Sequence, residues 1–125
     1  MRSLWKVAVG AALVSVAYAV PAPQPTTYSL TPDLRDCVTP ICGGWFLSRV
    51  NANSMRCIDG TMAPACYVAE VDWAAMGLDP AAEATLVSAA FADQVLVEGR
   101  LYRFSHPLGT FGGLTPERAW IEIAP

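Results

Sequence analysis

Cys37, Cys42, Cys57 and Cys66 fall within thirty residues of a 125-residue chain, and what joins them sets the limits of its fold. As thiolates they would ligate a metal; as disulfides they cross-link turns. The first nineteen residues favour the second. Arg2 and Lys6 give a short basic start, Val7 to Val16 is apolar but for Ser15, and Ala17-Tyr18-Ala19 is a small-x-small cleavage site. This is the plan of a secretory signal peptide over residues 1–19. A retained anchor needs roughly 20 apolar residues to cross a bilayer. The charge-free run from Val7 to Val20 offers 14 and then meets Pro21, Pro23 and Pro25. No cysteine stands just after the cleavage site for lipidation; the first is Cys37. The expected destination is secreted or periplasmic, in the cell envelope or beyond it, with no stable membrane insertion after cleavage.

In an oxidising compartment the cysteines read as disulfides. Zinc sites usually bring cysteines in closely spaced pairs, and here the gaps are four and eight residues. There is no Cys-x2-Cys redox device either. Three pairings are open. If strands at 45–50 and 67–73 form a hairpin, Cys42 and Cys66 stand at opposite ends, beyond the ~7 Å Cα reach of a bridge. Local pairing, 37–42 and 57–66, is therefore favoured.

Removing residues 1–19 leaves 106, enough for one domain with its own core. It also removes both Arg2 and Lys6, leaving six arginines against eleven acidic residues and a formal charge of −5. That sign repels phosphate backbones, so nucleic acid is not an expected partner. No cofactor and no metal site are expected.

Along the chain, residues 20–27 read as a Pro-rich linker, because proline at that density supports neither helix nor central strand. Residues 28–125 read as a single β-rich domain. Tyr28–Leu30 opens a first strand, and Trp45–Val50 follows the Gly43-Gly44 turn as a second. Residues 67–73 alternate, with Tyr67, Ala69, Val71 and Trp73 expected inward and Val68, Glu70 and Asp72 outward. Asp79-Pro80 is a helix start, an N-cap followed by proline at the first helical position, and Leu86, Ala90 and the pair Val87–Phe91 make the apolar face. Val95–Tyr102 returns to strand, with Gly99 at a corner or bulge. Ser105–Arg118 reads as a long loop, punctuated by Pro107, Gly109, Gly112-Gly113 and Pro116. Trp120–Ile123 is the last strand. The fold class is β-rich α+β, a small disulfide-bonded domain. Its element order matches an OB-like five-stranded barrel with one helix between strands 3 and 4, an order other small α+β sheets share.

Several blocks carry a resemblance: Cys37-x4-Cys42-Gly43-Gly44-Trp45-Phe46, Arg49-Val50-Asn51, Arg56-Cys57-Ile-Asp59-Gly60 and Cys66-Tyr67-Val68-Ala69 running on to Trp73. Val97-Glu98-Gly99-Arg100 and Ala119-Trp120 fit as well. Over residues 28 to 123 the chain resembles an uncharacterised family of small secreted bacterial proteins. The resemblance implies an exported domain of unknown function and supplies no catalytic residue.

The residues themselves offer few sites. His106, the sole histidine, sits beside Ser105 in the expected loop, where neighbours point apart and make a poor nucleophile–base pair. Glu70 and Asp72 would share a strand face about 7 Å apart, a spacing open to acid–base work or a hard cation. The Asn51–Gly60 segment fails the register of a calcium loop. Trp45, Trp73 and Trp120 lie on expected strands, and at least two should fill the core. The preferred function is a small binding module for an unknown protein or small envelope ligand. Its candidate contacts are Trp45, Glu70, Asp72, His106 and Arg118, with the Ser105–Arg118 loop and the disulfide turns. A structural envelope component is the alternative. A small hydrolase or metal-dependent enzyme built on Glu70, Asp72 and His106 comes third.

Overall fold

A computed structural model describes residues 25–122; the expected signal peptide and residues 20–24 lie outside the described residues. Strand β1 (Thr26–Pro32) turns Tyr28 and Leu30 inward, and β2 (Trp45–Arg49) turns Trp45 and Leu47 inward. They pair antiparallel, with Leu30 opposite Leu47. Thr26 and Thr27, read above as the end of the linker, are instead strand residues opposite Gly99 and Glu98.

Two short strands, β3 (Met55–Arg56) and β4 (Met62–Ala63), form a separate ribbon. Then come β5 (Cys66–Val68) and β6 (Glu70–Val71), followed by a 3-10 turn at Trp73–Met76 that ends on Gly77 at φ 67°. Helix α1 (Pro80–Phe91) starts as expected: the Asp79 carboxylate accepts from the Ala82 amide at 2.8 Å. Such a cap is worth about 1 kcal/mol. Leu86 and Ala90 are buried, while Phe91 is largely exposed with its ring 4.8 Å from that of Trp45.

The remaining strands are long. β7 (Val95–His106) and β8 (Gly109–Ile121) form a continuous antiparallel hairpin. The expected Ser105–Arg118 loop is therefore wrong. Pro107 is in the tight turn of the hairpin, while Gly109, Gly112, Gly113 and Pro116 are strand residues, and Gly112 and Gly113 have neighbours that require them. A Cβ on Gly112 would fall on Ile58, and one on Gly113 on the Tyr102 ring. Pro116 sits opposite Gly99, where the register shifts, a place where a strand tolerates a missing donor.

The main sheet is mixed and six-stranded, in the order β5-β2-β1-β7-β8-β6, where five strands were expected. The extra strand arises at Ala69. Before it, Cys66–Val68 pairs antiparallel with β2; after it, Glu70–Val71 pairs parallel with β8. The inward phase slips with the change of partner. Cys66, Val68, Ala69 and Val71 are buried and Glu70 and Asp72 exposed, so the expected alternation holds from Ala69 on, while Val68 faces the core against expectation and Tyr67 is half-buried. The core is Leu30, Leu47, Val68, Val97 and Leu114, all fully buried, with Leu86 and Ala90 of α1 closing it. Trp45 and Trp73 meet edge to face at 6.0 Å within it, and Trp120 is exposed.

The bridges pair locally, Cys37–Cys42 and Cys57–Cys66, with Cα separations of 5.8 and 5.4 Å. The first closes a turn in which the Val38 carbonyl accepts from the amides of Ile41 and Cys42, with a cis bond at Thr39–Pro40. The second fastens the β3–β4 ribbon to β5.

Candidate functional site

Phe46 and Tyr67 are register partners on β2 and β5, with ring centroids 5.7 Å apart. The Arg35 guanidinium lies over both, 5.5 and 5.7 Å from their centroids. It is aimed there by Asp33, whose buried carboxylate accepts from Arg35 Nε at 2.9 Å and Nη2 at 2.7 Å and from the Gly43 amide at 3.1 Å. The Arg35 hydrogen bond is the main reason the Asp33 carboxyl drops to about 2, against the opposing effect of burial. Tyr67 completes the attachment: its hydroxyl donates to the Pro40 carbonyl at 2.9 Å and accepts from the Gly44 amide at 3.2 Å. Burial pushes that phenol up. The Asp33–Gly44 turn is thus tied down onto two rings.

A second aromatic group lies on the β7–β8 hairpin. Tyr102, Phe104 and His106 occupy alternate positions of β7 and so share a face, and Phe111 stands opposite Phe104. The rings form a ladder: Tyr102 to Phe104 6.2 Å, Phe104 to Phe111 6.2 Å, His106 to Phe111 6.0 Å. Tyr102 lies across Gly113, where the missing side chain lets the ring rest on the strand. Its hydroxyl donates to Glu70 Oε2 at 3.0 Å, and burial followed by the Glu70 hydrogen bond raises its pKa to about 12. His106 Nδ1 accepts from the Leu108 amide at 3.1 Å, which places the ring proton on Nε2 of the neutral imidazole.

Between the two groups is a cleft of about 340 Å³, with Tyr67 and Phe111 both in its lining. It exists because β5 and β8 diverge on one side of the Ala69 N–H···O=C Gly112 bond (2.8 Å). The Cys57–Thr61 turn bounds it. That turn is held by Cys57 N–H to Thr61 O at 2.7 Å, and Gly60 takes φ 88°. The Thr61 hydroxyl donates to Asp59 at 2.6 Å, which chiefly holds that carboxyl below its usual range. Arg103 ties the turn to the hairpin through the Ile58 carbonyl at 2.7 Å. A second cleft of about 360 Å³, by Thr27 and Arg49, contains no aromatic ring in its lining.

The residues singled out from sequence divide between this face and elsewhere. Glu70 and His106 belong to the hairpin side of the face. Trp45 does not: it is a core residue. Asp72 is exposed at the start of the 3-10 turn, off the strand face it was expected to share with Glu70. Arg118 pairs with Glu98 at 3.0 Å and covers Trp120 at 5.6 Å. Glu70, Asp72 and His106 are not brought together. Glu70 is level with Gly113 and His106 with Gly109, four residues along β8 or about 13 Å. Among the described residues, no group of three or more His, Cys, Asp or Glu is placed to hold a metal, and no helix is long and apolar enough to cross a membrane. The sequence reading missed Arg35, Phe46, Tyr67, Tyr102, Phe104 and Phe111. The alternation of Tyr102, Phe104 and His106 was the available signal.

The class is a small β-rich domain with one α-helix and two disulfides, carrying a surface cleft between aromatic groups. Residues 26–124 match the family described as Domain of unknown function (DUF6748), and the chain belongs to that family. No curated protein and no solved structure matches it.

Proposed function

We propose that the protein is an exported binding module that takes a ligand across the cleft between Tyr67 and Phe111. The observation that carries this is the aromatic lining itself. Rings from β5 and from the distal hairpin, far apart in sequence, converge on one opening without filling it. Both walls are pre-set, one by the Asp33–Arg35–Tyr67 network and the other by the Arg103 bond to Ile58 and the packing of Ile58 on Gly112. Rigid walls reduce the ordering cost of binding.

The strand pairings support an OB-like reading of the domain. The run 66–71 contacts β2 with its first half and β8 with its second, and so touches both ends of the sheet order. Counted as one strand, it makes a five-strand cycle with α1 between the third and fourth strands. OB-like barrels bind extended ligands across this face and its loops. The Cys37–Cys42 turn is a poor inhibitor loop by comparison, because its closed hydrogen-bonded turn is not the extended form of a protease substrate. Two disulfides suit an oxidising, extracytosolic destination.

Phe111→Ala tests the reading. In an amide-resolved NMR screen of oligomeric ligands, shifts from a bound ligand should cluster at residues 58–61, 67 and 102–112, and Phe111→Ala should remove them while the core spectrum stays. Shifts confined to Glu98, Arg118 and Trp120 would reject the cleft.

A further inference from the structure

We infer, building on that reading of the cleft, that the ligand is a neutral oligosaccharide stacked along the hairpin ladder. Three features of the face lead there. The first is the posture of Tyr102. Gly113 gives the ring room to lie on the strand and Glu70 fixes its hydroxyl, so one face of the ring is backed by the sheet and the other is turned outward. Phe104 and Phe111 extend the surface, tilted by 42° and 35° from ring to ring. A pyranose presents C–H bonds on its ring face, which complement the negative face of an aromatic ring.

The second feature is the state of the cations. Arg35 is paired with Asp33, and Arg100, on the ladder's own side of β7, with Glu117 at 3.3 Å, while Arg56 and Arg103 each hold a backbone carbonyl. A phosphate or carboxylate ligand on the ladder would find the guanidinium on that side of β7 already paired with an acid. It would also meet a chain whose described residues hold six arginines against eleven acids.

The third feature is the rim. Glu70 stands at one end of the ladder, His106 at the other, and Asp59 at the cleft. The two carboxylates accept hydrogen bonds and the neutral imidazole donates from Nε2. Hydroxyl groups both donate and accept, so a sugar's equatorial rim matches this set. Ring faces for C–H, acceptors for hydroxyls, an acid-paired arginine beside the ladder and a surplus of acids over arginines together describe an uncharged glycan.

The test is an NMR titration of the purified exported protein with four probes at millimolar concentration: cellohexaose, chitohexaose, a thymidine hexanucleotide, and a hexapeptide of alternating lysine and phenylalanine. The expected result is that at least one hexaose shifts the amides of residues 102–112. Tyr102→Ala should then weaken it about tenfold, the scale of one ring stack. Phe104→Ala should act in the same direction, and Tyr102→Phe, which keeps the ring, should stay within about twofold. If the peptide or the oligonucleotide shifts those amides and neither hexaose does, the glycan class is overturned and the binding face stands. If no probe shifts the face, or the shifts fall on residues 33–44, both the glycan and the cleft reading fail.

Discussion

The two disulfide turns are alike in covalent terms and differ in everything around them. The Cys37–Cys42 turn is fastened several times over, through Asp33, Arg35, Gly43 and Tyr67, so its bridge is one fastening among many. The Cys57–Cys66 turn has fewer substitutes. Its Cys66 end is part of the hydrophobic core with Leu47 and Val68, and beyond the bridge the ribbon is tied by Met55, itself a core residue, by Arg103 and by Ile58 on Gly112. The comparison teaches that a bridge matters in proportion to what else would hold its loop when it is cut.

Replacing Cys57 and Cys66 together by alanine should have the largest effect, a loss of about 3 kcal/mol from loop closure alone, with core packing adding to it. Chemical denaturation reads the loss, and amide signals at residues 57–61 should broaden. The matching Cys37→Ala/Cys42→Ala pair should cost less, about 2 kcal/mol, and leave the Gly43 and Gly44 amides in place. Equal costs for the two pairs would break the comparison.

The polar fastening has its own signature in pH. Asp33 has its folded pKa depressed to about 2 from 3.8, so its stabilisation is full above about pH 4 and is lost as pH falls toward 2. Thermal unfolding followed from pH 5 to pH 2 should show that acid limb, and Asp33→Asn should flatten it while lowering stability at pH 7. An unchanged acid limb in the variant would place the titration elsewhere. The smallest effect belongs to the other turn. Thr61→Val removes the hydroxyl that holds Asp59, and the Asp59 carboxyl should rise toward 3.8 in a carbon-detected NMR titration with little change in melting temperature.

What was legible in the sequence was local. Asp79-Pro80 announces a helix because cap and first-turn proline act within a few residues, and the bridges could be paired because each spans one short turn. The hairpin was not legible. Gly112 and Gly113 read as loop residues until Ile58 and Tyr102 are seen in the space their side chains would take. The strand at 67–73 was read in the right phase from Ala69 on and in the wrong one at Val68, because Ala69 exchanges one partner strand for another, which no alternation pattern records. The β3–β4 ribbon consists of two-residue strands and leaves no periodic trace. The face was missed for the same reason as the hairpin. Its rings come from β2, β5, β7 and β8, and only Tyr102, Phe104 and His106 share a stretch of chain.

β1 has a consequence for how the molecule comes into being. It is the first strand of the described residues, yet it lies in the interior of the sheet order, with β2 on one side and β7 on the other. Thr26 finds its β7 partner only at Gly99. A chain delivered from its N-terminus through a secretion channel would therefore hold its central strand half-paired until most of the sequence has followed. Pairings across such a span close late and slow the folding of β-rich domains. In a chain that is exported, such a delay would keep it threadable during transit and leave its cysteines accessible to oxidation before the sheet closes over Cys66.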